Sequence, residues 1–192
     1  MRTRTGAALL ALAALAGREA AIANQTATAP TPPVGCSGPE YRQFDFWVGD
    51  WDAFAVGSAT PSARVRVTRI LDGCAIREEY QDVRGLVGDS ISTYDRSRGR
   101  WHQSWVTNRG QVLLLDGAFA DDAMVLEGPD RAAGAAALAR GTWIPTSDGV
   151  REIGETSPDS GRTWHPWFDL MFRPHKAPGP RSSRGPSRSQ LR

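Results

Sequence analysis

Phe44-Asp-Phe-Trp-Val-Gly-Asp-Trp-Asp-Ala-Phe54 is the stretch on which the reading of the fold turns. Five of its eleven residues are aromatic, and they crowd around one glycine. Gly49 can take backbone angles closed to other residues, which lets a short helical or irregular entry swing directly into a strand. Phe46, Trp47 and Trp51 are then placed to plug the closed end of whatever that strand helps to build. Just upstream, Pro39-Glu-Tyr-Arg-Gln43 suits a short helix, with Pro39 in its first turn.

Downstream, short alternating apolar runs separated by turn residues recur about every ten positions, as in an antiparallel barrel or sandwich. The pattern places strands at 51–56, 63–71, 75–83, 89–94 and 101–107, then at 112–119, 123–127, 137–144, 150–156 and 163–172. Asp95-Arg-Ser-Arg-Gly99, Asn108-Arg-Gly110 and Ser147-Asp-Gly149 read as hairpin turns, with glycine where a positive backbone angle is needed. No connection is long enough for a parallel crossover. The expected architecture is therefore all-β: one antiparallel up-and-down β-barrel of about ten strands, with the short helix at its closed end. Closure would remove the free edges of so long a sheet. A two-sheet sandwich is the alternative.

The Gly49-Asp50-Trp51 step resembles the Gly-x-Trp that opens the first strand of lipocalins and their relatives. The longer F-D-F-W-x-G-x-W string is similar to that of an uncharacterised bacterial domain family expected to form a lipocalin-like barrel, and the likeness covers roughly residues 39–173. Phe168-Asp169 and Phe172-Arg173 resemble the closing strand of the same family. In lipocalin relatives a basic residue near that point stacks on the opening tryptophan, which implies barrel-closing roles for Trp47, Trp51 and Arg173, with Arg173 laid over Trp51. Ten strands and no C-terminal helix bring the chain nearer to fatty-acid-binding or nitrobindin-like barrels. Nitrobindins hold haem iron through a histidine. This chain lacks their glycine-rich opening, and neither His102 nor His165 stands in a recognisable motif.

Residues 1–23 read as a secretory signal peptide: Arg2 and Arg4, a short apolar run over 6–16, and an Ala21-Ile22-Ala23 cleavage site. The run is too short for a permanent membrane span, and Arg18 and Glu19 interrupt it. An uncleaved anchor is the alternative. Export, to a periplasmic or secreted destination, is the expectation. Residues 24–38 are small, polar and proline-rich, as in a flexible linker. The barrel domain is assigned to 39–173. Residues 174–192 carry five basic residues and no acid, with many breakers, and read as a disordered basic tail.

The net charge of +2 misleads. Residues 24–173 hold 15 arginines against 20 acidic residues, so the folded part is acidic, which argues against a nucleic-acid partner. Cys36 and Cys74 are the only cysteines. In an oxidising compartment they form one disulfide closing a loop of 39 residues, stabilising by roughly 3–4 kcal/mol. Two free buried thiols are the other reading. No cluster of cysteine and histidine has metal-ligand spacing, so neither metal nor cofactor is expected.

Ser157-Pro-Asp-Ser-Gly-Arg-Thr-Trp164 matches the S-x-D-x-G-x-T-W pattern of the sialidase Asp box. Its physics is a hairpin in which an aspartate satisfies turn amides, and sialidase propellers carry several copies where this chain has one. It is read as structural.

Alternation assigns side chains to faces without saying which face is inward. Trp101, Gln103 and Trp105 share one; Glu78 and Tyr80 share another with Ile76; Ser92 lies with Ser90 and Tyr94. Arg140 shares a face with Thr142, and Glu155 with Arg151 and Ile153. Glu78, Tyr80, Ser92, Trp101, Gln103, Trp105, Arg140 and Glu155 are the candidate ligand-binding residues, with Glu78 and Glu155 meeting Arg140 or Arg151 because an interior charge needs a partner; the alternative is that several of these charges face solvent as cross-strand pairs. The expected function is an exported barrel that binds a small apolar or amphipathic molecule. The alternatives are an enzyme using a lumen carboxylate or haem, such as an isomerase or hydrolase, and an envelope interaction module with a filled lumen.

Overall fold

Strands form where alternation puts one face into a shared interior, and in the computed structural model ten of them do so. It describes residues 35–177. The strands are β1 (Gly49–Ala55), β2 (Ala63–Ile70), β3 (Ala75–Asp82), β4 (Val87–Asp95) and β5 (Arg100–Thr107), followed by β6 (Val112–Ala120), β7 (Ala123–Pro129), β8 (Leu138–Thr146), β9 (Gly149–Ser157) and β10 (His165–Pro174). Each pairs antiparallel with its neighbours in sequence, and β1 pairs with β10, so the meander closes into a barrel with no free edge. The expected barrel is the observed one, and the sandwich is set aside. The signal-peptide reading over 1–23, the first part of the linker and the tail beyond 177 lie outside the described residues.

The turns behave as their chemistry dictates. Gly99 and Gly110 have positive φ, and the Asp95 carboxylate accepts the backbone N–H groups of Ser97 and Arg98. The Asp121-Asp122 hairpin between β6 and β7 puts both central residues in the left-handed region, as a type I′ turn requires. The Asp-box loop is such a device as well. Ser157 Oγ accepts the Gly161 N–H, and the Asp159 carboxylate accepts both the backbone and the hydroxyl of Thr163.

The expected helix at 39–43 is a 3₁₀ turn, Pro39–Arg42, followed by a second, Asp45–Trp47. Together they drive Phe44 and Trp47 into one end of the barrel, where both are fully buried. Phe44 meets Trp101 of β5 and Trp143 of β8 edge-on, at 5.7 and 5.4 Å between ring centroids. Trp47 stacks on Trp51 at 6.0 Å and meets Phe172 of β10 edge-on at 4.5 Å. The Trp51 indole N–H also donates to the Trp47 carbonyl at 3.0 Å. A Cys36–Cys74 disulfide ties the entry arm to the start of β3, as expected, and the Arg42 guanidinium donates to the Cys36 and Gly73 carbonyls beside it.

One expectation is corrected. Arg173 does not lie over Trp51. The β1–β10 register pairs Arg173 with Asp52 and Trp51 with Pro174, so the two side chains leave the sheet on opposite faces. Arg173 instead lies on the outside, its guanidinium 5.2 Å from the centroid of the Phe54 ring. Just beyond it, the His175 N–H donates to the Asp50 carbonyl, and its Nδ1 sits 2.9 Å from the Asp52 carboxylate.

This closure predicts an unequal cost of truncation. Trp47→Ala should lose about 3–5 kcal/mol of unfolding free energy, whereas Arg173→Ala should lose about 1 kcal/mol or less. Urea denaturation of both variants checks it, and comparable losses would contradict the assignment of the plug.

Candidate ligand-binding lumen

Among the described residues the barrel is plugged at one end, by Phe44 and Trp47. Above the Phe44–Trp47 plug a cavity of about 620 Å³ runs to the opposite rim. Inward positions of β3, β5, β6, β8, β9 and β10 line it, and the open rim carries Ala55, Ser62, Asp82, Arg84 and Gln111.

Glycines make room for its aromatic walls. A Cβ at Gly88 would meet the Trp105 ring at 2.3 Å, one at Gly141 the Trp143 ring at 2.6 Å, and one at Gly154 the Phe168 ring at 2.3 Å. Each ring therefore lies flat over a glycine instead of projecting across the lumen. Tyr80 packs edge-on against Trp105 at 5.8 Å. A register shift between Pro166 and Phe168 adds one residue to β10, and both Trp167 and Phe168 line the cavity as a result.

Polar groups gather on the β3–β4–β5 wall. Glu78 is buried and accepts a hydrogen bond from the Ser90 hydroxyl at 2.9 Å. The Gln103 amide donates to Ser92 Oγ at 3.1 Å and to Ser90 Oγ at 3.4 Å, locking the set together. From β9 comes a second carboxyl, Glu152, whose accessible part faces the cavity. Burial drives Glu152 well above the ordinary glutamate range and the charge of Glu78 adds to this, against a smaller downward pull from the Trp143 indole N–H. That N–H nevertheless completes no hydrogen bond of acceptable geometry, leaving a buried donor without a partner. Burial likewise pushes Glu78 from the ordinary 4.5 up to about 7; Ser90 holds it down in part, and Asp89 on the outer face raises it. Burial also pushes the Tyr80 hydroxyl up to about 12.

Of the residues expected to form the site, Glu78, Tyr80, Gln103 and Trp105 line the cavity. Ser92 supports it from behind through Gln103. Trp101 is buried under the floor, donating to Gln43 Oε1 at 3.0 Å and packed on Phe44. Arg140 and Glu155 are corrected: they do form the expected ion pair, at 2.7 Å, but on the outer face, where Trp164 covers the guanidinium at 3.9 Å. Arg140 borders the cavity from between the inward Ala139 and Gly141, with its guanidinium committed to Glu155. Arg151 also points outward, to Asp169. The face of β9 that enters the lumen is Val150, Glu152 and Gly154, one residue out of phase with the expectation. Glu152, Trp143 and Phe168 were the residues missed. The glycines beneath large rings were the available signal.

A Ser104–His102–Asp116 relay lies on the outside of β5 and β6. Ser104 Oγ is 3.3 Å from His102 Nε2, and His102 Nδ1 is 2.9 Å from Asp116. Ser104 stands mid-strand with paired neighbours on both sides, so the surrounding amides are committed to the ladder and none is free to hold an oxyanion. Among the described residues no group of three potential metal ligands occurs, and no helix is long and apolar enough to cross a membrane. No family model matches the chain, and no curated protein matches it either.

The lumen carboxyls predict a pH dependence of stability. A carboxyl whose folded pKa is raised binds its proton more tightly when folded. Its contribution is therefore full below about pH 4.5 and is lost as pH rises through about 7 for Glu78. The loss is on the order of 3 kcal/mol for that group. Urea denaturation at pH 5 and pH 8 should show this drop, and Glu78→Gln should shrink it. An unchanged or steeper drop in the variant would contradict the assignment.

Proposed function

We propose that this chain is an exported barrel that binds a small, partly apolar molecule in its lumen. The carrying observation is the cavity of about 620 Å³, plugged at one end, with aromatic walls and a few converging polar groups. Export rests on the leader-like sequence over 1–23 and is consistent with the disulfide. The F-D-F-W-x-G-x-W resemblance supports a lipocalin-like role, and it says nothing of the ligand. The cavity counts against a filled-lumen interaction module.

Catalysis by a lumen carboxylate is the second reading, favoured by Glu78 and Glu152 lining the same cavity. Its weakness is the nucleophile. Ser90, whose hydroxyl Glu78 accepts, is buried behind the carboxyl and does not line the cavity.

Binding is tested with N-phenyl-1-naphthylamine, a neutral aromatic probe whose fluorescence rises in apolar surroundings. A saturable rise is expected with the wild type. Ala55→Trp, which puts a large ring at the exposed rim, should weaken it at least about tenfold. No rise, or equal binding by the variant, would overturn the reading.

A further inference from the structure

Resting on the lumen-binding reading, the geometry points to an organic cation as the ligand: an ammonium group on an aromatic or apolar body, held between Glu78 and Glu152. Glu78 of β3 and Glu152 of β9 line one cavity, and among the described residues neither makes an ion pair with a basic side chain. Arg84 stands at the rim, mostly exposed and engaged with Asp82 at 3.4 Å. Arg140 and Arg151 line up on the far side of the wall, each already paired with its own acid. The remaining charged or titratable groups near the pair are Asp82 and Tyr80 on β3 and Asp89 on the outer face of β4, none of them cationic. A natural protein that buries carboxyls normally pairs them. Here the lining's arginines, Arg84 and Arg140, are paired with Asp82 and Glu155, and neither lumen glutamate has a cationic partner among the described residues.

The donors around the two acids are arranged for their ionised forms. Ser90 Oγ donates to Glu78, and the Gln103 amide donates to Ser90, orienting the hydroxyl's proton toward the carboxylate. Trp143, only 3 % exposed, carries its unpartnered indole N–H on the Glu152 side. An ionised Glu152 would give that donor a stronger acceptor. A bound ammonium would let both carboxyls ionise by neutralising them, which burial otherwise opposes. The walls supply the second half of cation recognition. Tyr80, Trp105, Phe168 and Trp167 present aromatic surface in the same cavity, and ring faces attract ammonium groups. Such walls favour an organic cation over a bare metal ion, whose hard charge wants more oxygen ligands than the lumen offers.

The test uses three probes that share a naphthyl group: 1-naphthylmethylammonium, its neutral carbon isostere 1-ethylnaphthalene, and the anion 1-naphthylacetate. Each competes at pH 7 against N-phenyl-1-naphthylamine bound to the intact protein. The ammonium is expected to bind at least about tenfold more tightly than the isostere, and the anion more weakly than either. In Glu78→Gln/Glu152→Gln the preference for the ammonium should collapse to within about threefold while the isostere still binds. Equal or tighter binding of the isostere by the wild type would overturn the cation assignment and leave lumen binding standing. So would a preference that survives in the double variant. If no probe binds the wild type, the binding reading fails and the cation assignment falls with it. Should the double variant not fold, Trp143→Phe keeps the ring and removes only its N–H. It should weaken the ammonium more than the isostere, and an equal effect on both would count against the assignment.

Discussion

Trp47 is where the first and last strands of the barrel are held together. Its ring stacks on Trp51 of the first strand and meets Phe172 of the last edge-on, while its carbonyl accepts the Trp51 indole N–H. Closing a meander requires strands more than a hundred residues apart to meet, an entropic cost that local contacts do not offset. A fully buried aromatic anchored just ahead of β1 supplies contacts to both at once. The Cys36–Cys74 disulfide and the Arg42 hydrogen bonds fix the arm that carries this ring. With one end sealed in this way, the other can stay open without leaving a sheet edge exposed.

The sealed end also sets what the lumen can be. Phe44, Trp101 and Trp143 make an apolar floor, and above it the inward faces of β3, β4 and β5 turn polar. Charges on the outside are neutralised locally: Arg140 by Glu155, Arg151 by Asp169, Arg77 by Asp89 and Arg64 by Asp50. Exposed pairs of this kind contribute little each. Inside, Glu78 and Glu152 face a low-dielectric space in which the same charges are costly. The barrel wall thus separates two electrostatic regimes within one strand's width.

Much of this was legible in the sequence. Hairpin glycines, the aromatic entry string and regular spacing specified the strands to within a few residues, because turn chemistry and side-chain alternation act locally. The Asp-box loop is legible as a turn, since Ser157 and Asp159 satisfy its amides. Faces were legible only where polarity contrasts strongly. On β5, Trp101, Gln103 and Trp105 had to travel together, and they do. On β8 and β9 the contrast vanishes: the inward set is Ala139, Gly141, Glu152 and Gly154, and the outward set holds Arg140, Thr142, Arg151 and Glu155. Glycine looks like no face at all until the ring that covers it is known. The Arg173 expectation failed for a register reason, since a shift of one residue along a strand exchanges inside for outside.

The central claim is that two carboxyls share the lumen, neither of them ion-paired with a basic side chain of the described residues. Carboxyl carbon NMR of the protein labelled at glutamate, with Glu78 and Glu152 assigned by substitution, tests it most directly. Titration from pH 3 to pH 9 should place Glu78 near 7 and Glu152 well above the ordinary glutamate range, with the titration of each altered when the other is changed to glutamine. Two independent transitions close to 4.5, each unaffected by the other substitution, would contradict the account.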